Sequence, residues 1–255
     1  MTSRSQLVLG IDIGGSGIKG APVDLTTGEF AAERIRIATP KKATPKACAD
    51  VVAKIAEKFS DQFGNEPIGI ALPAPVVHGT VTMMANLHSS WEGVNAEQLF
   101  TERLGRKTVL VNDADAAGLA EVYFGAAKGH PGLVIMTTLG TGIGTALIMN
   151  GVLVPNTELG HIEINGHDAE TKASAHAKAN EHLSYKRWSK RLQKYYRRLE
   201  KYFWPDLFVV GGGVSRSHEK FLPLLELSTP IVPATLFNRA GIVGAAIAAS
   251  DQIPS

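Results

Sequence analysis

Asp12, Gly14, Gly15, Gly17 and Lys19 close an apolar run, Leu7 to Ile13, and their types and spacing suit phosphate chemistry. Glycines lack the Cβ atoms that would hold a ligand away, so such a loop can turn successive N–H groups inward to form an anion-binding concavity. Gly15, Gly17 and Gly20 formally satisfy G-x-G-x-x-G, but a dinucleotide fingerprint needs a helix to open directly from the loop. Here Ile18 to Val23 continues as a strand and Asp24 to Gly28 reads as a turn, so the stretch is a hairpin. The pattern G-x-x-x-x-G-K-[ST] is absent, as are the H-R-D and D-F-G elements of protein kinases. On this stretch alone, a glycine turn with no ligand stays open beside a phosphate loop.

Leu133 to Met149 repeats the design. Aligning Gly140 with Gly14, 126 positions earlier, puts Thr138 on Asp12 and Leu139 on Ile13, with apolar strands on both sides. Two glycine loops of one pattern suggest two similar half-domains facing one cleft, with chance similarity of two glycine turns as the competing reading. A third apolar run, Leu207 to Val210, ends in Gly211, Gly212 and Gly213. It is followed by a helical stretch at Ser217 to Leu225, a strand at Ile231 to Val232 and a small-residue helix at Asn238 to Ala249. Ala240, Gly241, Gly244 and Ala245 in that helix suit close approach of another helix.

The elements that must position these loops alternate between strand and helix. Pro45 to Phe63 carries Val51, Val52, Ile55 and Phe59 at helical spacing, and Pro67 to Val77 reads as a buried strand entering a proline-rich loop. Ala85 to Gly93 is irregular, and Asn95 caps a short helix to Leu104. Asn112 and Asp113 stand between the strand Thr108 to Val111 and the helix Ala114 to Phe124, where an acidic residue is also an ordinary helix cap.

Composition bounds the rest. A chain of 255 residues with 44% apolar content can bury one large core or two modest ones. No apolar run reaches transmembrane length and MTSRSQ lacks the apolar core of a signal peptide, so a soluble, cytoplasmic protein with no membrane partner is expected. The single cysteine, Cys48, excludes an internal disulfide and a cysteine-based zinc cage. Net charge is +2, yet Lys172 to Lys201 holds ten Lys/Arg and two Glu, leaving −6 for the remainder. Within it, Trp188, Leu192, Tyr195, Leu199 and Tyr202 recur every three to four residues, the mark of a helix face turned to a core. Arg187, Lys190, Arg191, Lys194, Arg197, Arg198 and Lys201 line other faces over roughly 21 Å. That length suits a polymeric anion; a solvated face and a nucleic-acid surface are the competing readings.

Taken together, these residues resemble the ROK group of sugar kinases in the actin-like ATPase superfamily. The two phosphate motifs look like Asp12-Ile13-Gly14-Gly15-Ser16-Gly17-Ile18-Lys19 and Thr138-Leu139-Gly140-Thr141-Gly142-Ile143-Gly144. The two connecting helices resemble Val111 to Ala117 and Ala240 to Ala245, and the adenosine motif resembles Val210 to Ser215. Glu158-Leu159-Gly160-His161 is similar to the group's hexose motif, and Asn86-Leu87 with Trp91 resembles the loop that closes over the sugar. The chain departs from the group by lacking the Cys-x-Cys-Gly-x-x-Gly-Cys-x-Glu zinc segment, although Glu170-Thr171-Lys172-Ala173-Ser174 resembles its end. No structural zinc is therefore expected; His161, His167, His176 and His182 read first as surface or hydrogen-bonding residues, with a ligand role left open. A zinc-less chain with a basic insert ending in Trp204 to Leu207 looks most like the polyphosphate-dependent glucokinase and glucomannokinase branch.

The resemblance implies an α/β fold of two ribonuclease H-like half-domains around a central cleft, divided as 1–112 and 113–255 with the basic insert at 172–203. It implies phosphoryl transfer from inorganic polyphosphate to the 6-hydroxyl of glucose, with ATP as a second donor and mannose as a second acceptor left open. Asp113 would be the general base; Asn86, Leu87, Asn112, Glu158, His161 and Glu170 would hold the sugar. Gly14, Gly15, Ser16, Gly17, Lys19, Thr138, Gly140, Thr141 and Gly142 would bind phosphates, Gly211 to Gly213 the donor's other end, and Asp12 a magnesium ion through water. A homodimer is implied. The alternatives are a strictly ATP-dependent kinase of the same group and a sugar-sensing regulator, which would carry a winged helix before the first strand.

Overall fold

The structure, a computed structural model, describes residues 7–64 and 66–250; the hydrophilic start at residues 1–6 lies outside them. Packing divides the chain into two units, Met1–Ala120 with Asn238–Ser255, and Glu121–Phe237. This differs from the expected division at 112/113, because the C-terminal helix folds into the first unit.

In the first unit β1 (Leu7–Ile13) and β2 (Ile18–Asp24) form the antiparallel hairpin, and the short β3 (Glu29–Phe30) and β4 (Ile35–Ile37) pair with β2. After α1 (Pro45–Lys58), β5 (Ile68–Leu72) joins β1 in parallel, and all five of its residues are buried. A small hairpin, β6 (Val76–Val77) with β7 (Thr80–Val81), precedes α2 (Ala96–Leu104). Then β8 (Thr108–Asn112) runs parallel to β5 and leads into α3 (Asp113–Phe124). Helix starts follow local chemistry. Thr44 Oγ1 accepts from Ala47 N–H with Pro45 in the first turn, and Asn95 Oδ1 accepts from Gln98 N–H as expected. Cys48 lies on the buried face of α1, where burial raises its thiol to about 11, so it stays protonated and inert.

The second unit holds the hairpin β9 (Leu133–Leu139) and β10 (Ile143–Met149), edged by β11 (Val152–Val154). A ribbon, β12 (Glu163–Ile164) with β13 (His167–Asp168), leads to α4 (Ala169–Ala173), α5 (Ala175–Asn180) and α6 (Tyr185–Phe203). The chain then returns through β14 (Leu207–Gly211), parallel to β9, and β15 (Ile231–Pro233), parallel to β14. Sheet orders are β3-β2-β1-β5-β8 and β11-β10-β9-β14-β15, which are the same arrangement twice. The repetition expected from two loops thus extends to both sheets. The helical stretch expected at 217–225 is instead two 3₁₀ segments, Gly213–Lys220 and Leu222–Leu224.

Helix α7 (Ala240–Ala248) buries seven of its nine residues. A Cβ at Gly10 or Gly69 would overlap the carbonyl of Ile242 or Ala245, and one at Gly244 would overlap the carbonyl of Ala116. The small residues therefore admit α7 against β1 and β5 as well as against a helix, α3. On α6, Trp188, Leu192, Tyr195 and Leu199 are buried as expected and Tyr196 joins them, but Tyr202 is 54% exposed. Fourteen residues at about 100° each leave Tyr202 about 40° off the position of Trp188, toward the cationic face. Among the described residues no helix is long and apolar enough to cross a membrane.

Candidate functional site

In the first unit the β1–β2 register sets Asp12 opposite Lys19, and Lys19 Nζ lies 3.0 Å from Asp12 Oδ2. The lysine expected to face phosphate is thus engaged with the carboxylate. Gly14 N–H donates to Gly17 C=O at 3.1 Å and closes the loop, leaving Gly15 and Ser16 exposed. Two residues not singled out from sequence hold it in shape. Arg36 donates to Ser16 C=O at 2.8 Å and packs on Gly17 where a Cβ would not fit, while Thr39 Oγ1 donates to Gly14 C=O. Only the pairing of β4 with β2 brings them there, so no local motif announces them.

Asn86 sits beside Gly15 with its side chain exposed, and Leu87 is half-buried on the core. Trp91 of the same loop is fully buried, and its Nε1–H donates to Ala43 C=O. Asn112 divides its side chain between two roles. Its Oδ1 accepts from Ala114 and Asp115 N–H at 2.8 and 3.2 Å, so Asn112 caps α3 and only its amide N–H groups remain for a hydroxyl. Asp113 is the exposed first residue of α3.

A magnesium ion carried on a phosphate donor fits what the first unit provides. Such an ion needs one or two carboxylates besides phosphate oxygens and water, and Asp12 is a half-buried carboxylate next to the glycine loop. Among the described residues no group of three or more His, Cys, Asp and Glu side chains is arranged to hold a metal.

In the second unit Gly140 N–H donates to Gly142 C=O at 3.0 Å, the counterpart of the first loop, with Gly140 and Thr141 exposed. Thr138 is the sheet partner of Gly211, so the third glycine run starts beside the second loop. Gly212 has φ of +82°, and a Cβ there would strike the backbone of Leu139; Gly213 is open.

Glu158, His161, Asp168 and Glu170 gather next to that loop. His161 Nδ1 is 3.1 Å from Asp168 Oδ2 and 4.0 Å from Glu170 Oε1, and its Nε2 is 4.0 Å from Glu158 Oε2. The hydrogen bond to Asp168, followed by the Glu170 and Glu158 charges, raises the His161 pKa against the effect of burial. Burial raises that of Glu158. Asp168 was not singled out from sequence, since only the β12–β13 turn returns it to His161. Glu170 Oε2 accepts from Ile143 N–H at 3.0 Å, where a Cβ on Gly142 would collide with the carboxylate. One carboxylate thus belongs to both the polar cluster and the glycine loop. His176 Nε2 is engaged by Asn180, away from this cluster's hydrogen bonds.

The cations of α6 divide by partner. Arg191 is held by Glu181 through two hydrogen bonds of 2.9 and 2.5 Å, Arg197 lies 4.0 Å from Glu226, and Arg198 donates to Tyr202 Oη. Arg187, Lys190, Lys194 and Lys201 are exposed without an ion-pair partner among the described residues.

A family model described as "ROK family" matches residues 8–176, more than half of the chain. The chain belongs to the ROK family. Its doubled sheet is the actin-like ATPase fold that solved ROK sugar kinases share. This ROK chain is 49% identical over 240 residues to the polyphosphate glucokinase of Mycobacterium tuberculosis, covering 94% of the chain and 89% of that relative. It is 51% identical to the crystal structure of inorganic polyphosphate/ATP-glucomannokinase from Arthrobacter sp. strain KM, with a TM-score of 0.89 and coverage of 94% and 97%. A ROK glucokinase from Streptomyces griseus, solved with glucose and AMPPNP, is 26% identical with a TM-score of 0.80, covering 95% and 99%.

Proposed function

We propose that this ROK protein transfers the terminal phosphoryl group of inorganic polyphosphate to the 6-hydroxyl of glucose. The observation that carries the reading is Glu170: a carboxylate of the cluster suited to sugar hydroxyls also holds the second glycine loop through Ile143 N–H. The likeness to polyphosphate glucokinase over nearly the whole chain supports it independently.

Phosphoryl transfer leaves the protein positioning and charge neutralisation to supply. Glu158, His161 and Glu170, with Asn86 and the Asn112 amide, satisfy sugar hydroxyls that would each cost about 1–3 kcal/mol if buried unpaired. Asp113 accepts the proton of the 6-hydroxyl as that oxygen bonds to the terminal phosphorus. The bridging P–O bond breaks, and its electrons leave with a polyphosphate one unit shorter. Loop N–H groups at Gly14 to Gly17 and Thr138 to Gly142 bind the donor phosphates, with Gly211 to Gly213 beside them. Asp12 would hold magnesium, which neutralises phosphate charge when bound. Were Asp12 engaged by such an ion, Lys19 would be the cation left to meet the donor phosphates.

The α6 cations, Arg187 to Lys201, support a polymeric donor, and the Arthrobacter relative supports ATP as second donor and mannose as second acceptor. The working unit is a cytoplasmic homodimer, which light scattering checks. A coupled assay for glucose 6-phosphate with polyphosphate, ATP or both tests the donor; no product from polyphosphate would overturn it. Asp113→Asn should lower turnover about 10²–10⁴-fold with unfolding unchanged, and near-normal turnover would remove Asp113 from the chemistry.

A further inference from the structure

The second unit also holds a cavity of about 220 Å³ between the β12–β13 ribbon, α4 and α6. Its walls include Ile164 and Tyr195, and Lys172, Arg191, Lys194 and His167 line it as well. Lys172 and His167 come from α4 and the ribbon, and Arg191 and Lys194 from α6, so a concave site joins two segments that are separate in sequence. The one carboxylate of the lining, Asp168, is hydrogen-bonded to His161, and Arg191 is fixed by Glu181. Lys172 and Lys194 are exposed and lie in no ion pair within 4.0 Å among the described residues; the Lys172 charge acts on Glu181 only at longer range, after the hydrogen-bonded Arg191.

Two features relate the cavity to the donor. Helix α4 touches the second glycine loop through Glu170 and lines the cavity through Lys172, so one short element separates them. On α6, Arg187, Lys190, Arg191, Lys194, Arg197, Arg198 and Lys201 follow intervals of three and four residues, which places all seven within about 120° of one another around the helix. Lys194 and Arg191 belong both to that stripe and to the cavity. The stripe therefore has one recess along its length, and an inextensible row of phosphates lying on it would be anchored there.

We propose that this cavity seats internal phosphates of a condensed-phosphate chain, remote from the phosphoryl group transferred, with Lys172 and Lys194 as its principal contacts. The proposal rests on polyphosphate being the donor. It makes the seat a length sensor: a long chain engages loop and cavity together, whereas tripolyphosphate and ATP engage the loop alone, so the second contact acts at high effective concentration only for long chains.

The test compares Lys172→Glu and Lys172→Ala with wild type in steady-state glucose phosphorylation, using long-chain polyphosphate, tripolyphosphate and ATP. Expected is a rise of roughly fivefold to tenfold in KM for the long chain with Lys172→Glu, a smaller rise with Lys172→Ala, and less than about twofold change for the short donors. The salt dependence of the long-chain KM should also flatten in Lys172→Glu. An unchanged long-chain KM, or an equal rise for all three donors, would overturn the seat while leaving the donor assignment standing. Failure of wild type to use any polyphosphate overturns both. Fluorescent single-stranded DNA binding as tightly as long-chain polyphosphate, with the same loss in Lys172→Glu, would replace the condensed phosphate with nucleic acid.

Discussion

His161 sits among Asp168, Glu158 and Glu170, and its protonation decides whether Nε2 accepts or donates a hydrogen bond. With Asp168 holding Nδ1, the ring is fixed in orientation. Replacing that carboxylate by Asn removes the largest cause of the raised pKa, so Asp168→Asn should titrate His161 at lower pH than wild type. The sign is the same whichever form binds sugar: the limb of the pH profile for glucose KM that belongs to His161 moves to lower pH. Two-dimensional NMR of the imidazole nitrogens measures the pKa directly, and an unmoved titration would show that Asp168 does not govern His161. Asp113 and Asn112 illustrate what residue types reveal. Their place at a strand-to-helix junction was legible, but that Asn112 Oδ1 takes the Ala114 and Asp115 N–H groups was not, because both residues are good caps.

At the scale of elements, α6 shows how periodicity predicts burial and where it stops. Its apolar spacing identified four of its five large fully buried residues. Tyr196 escaped notice because it stands about 80° round the helix from Trp188, at the edge of the stripe; Thr137 of β9 pairs with its hydroxyl at 2.7 Å. The neighbouring Tyr195 hydroxyl is equally buried but has no protein hydrogen-bond partner among the described residues. The two tyrosines should therefore respond differently to the same change. Tyr196→Phe leaves Thr137 Oγ1 unpaired and should cost about 1–3 kcal/mol, whereas Tyr195→Phe should be neutral or slightly stabilising. Urea unfolding of both variants checks this, and equal losses would refute the assignment. The first loop gives the converse lesson. Glycines announced it, while Arg36 and Thr39, which hold its carbonyls, lie on and after a three-residue strand with no signature of its own.

At the scale of the molecule, the return of α7 to the first unit makes that unit discontinuous in sequence. Backbone-to-backbone contact at Gly10, Gly69 and Gly244 leaves no room for even one methyl group. Gly244→Ala should thus destabilise by about 1–3 kcal/mol or more, since neither α7 nor α3 can retreat without opening the core. Differential scanning calorimetry would detect it as a lowered first transition, and an unchanged transition would mean that the helices are not in such close contact. Glycine runs, apolar strands and a duplicated loop were readable because each is local: φ freedom, period and spacing lie within about ten residues. The ROK resemblance followed from those motifs in order. Pairing decided the rest: the register of short hairpins set Lys19 on Asp12 and Asp168 on His161, and long-range packing set Glu170 on Ile143, Trp91 in the core and α7 in the first unit. Those contacts depend on which strand lies beside which and on which side chain loses less by being buried, and such quantities exist only once the chain has closed on itself.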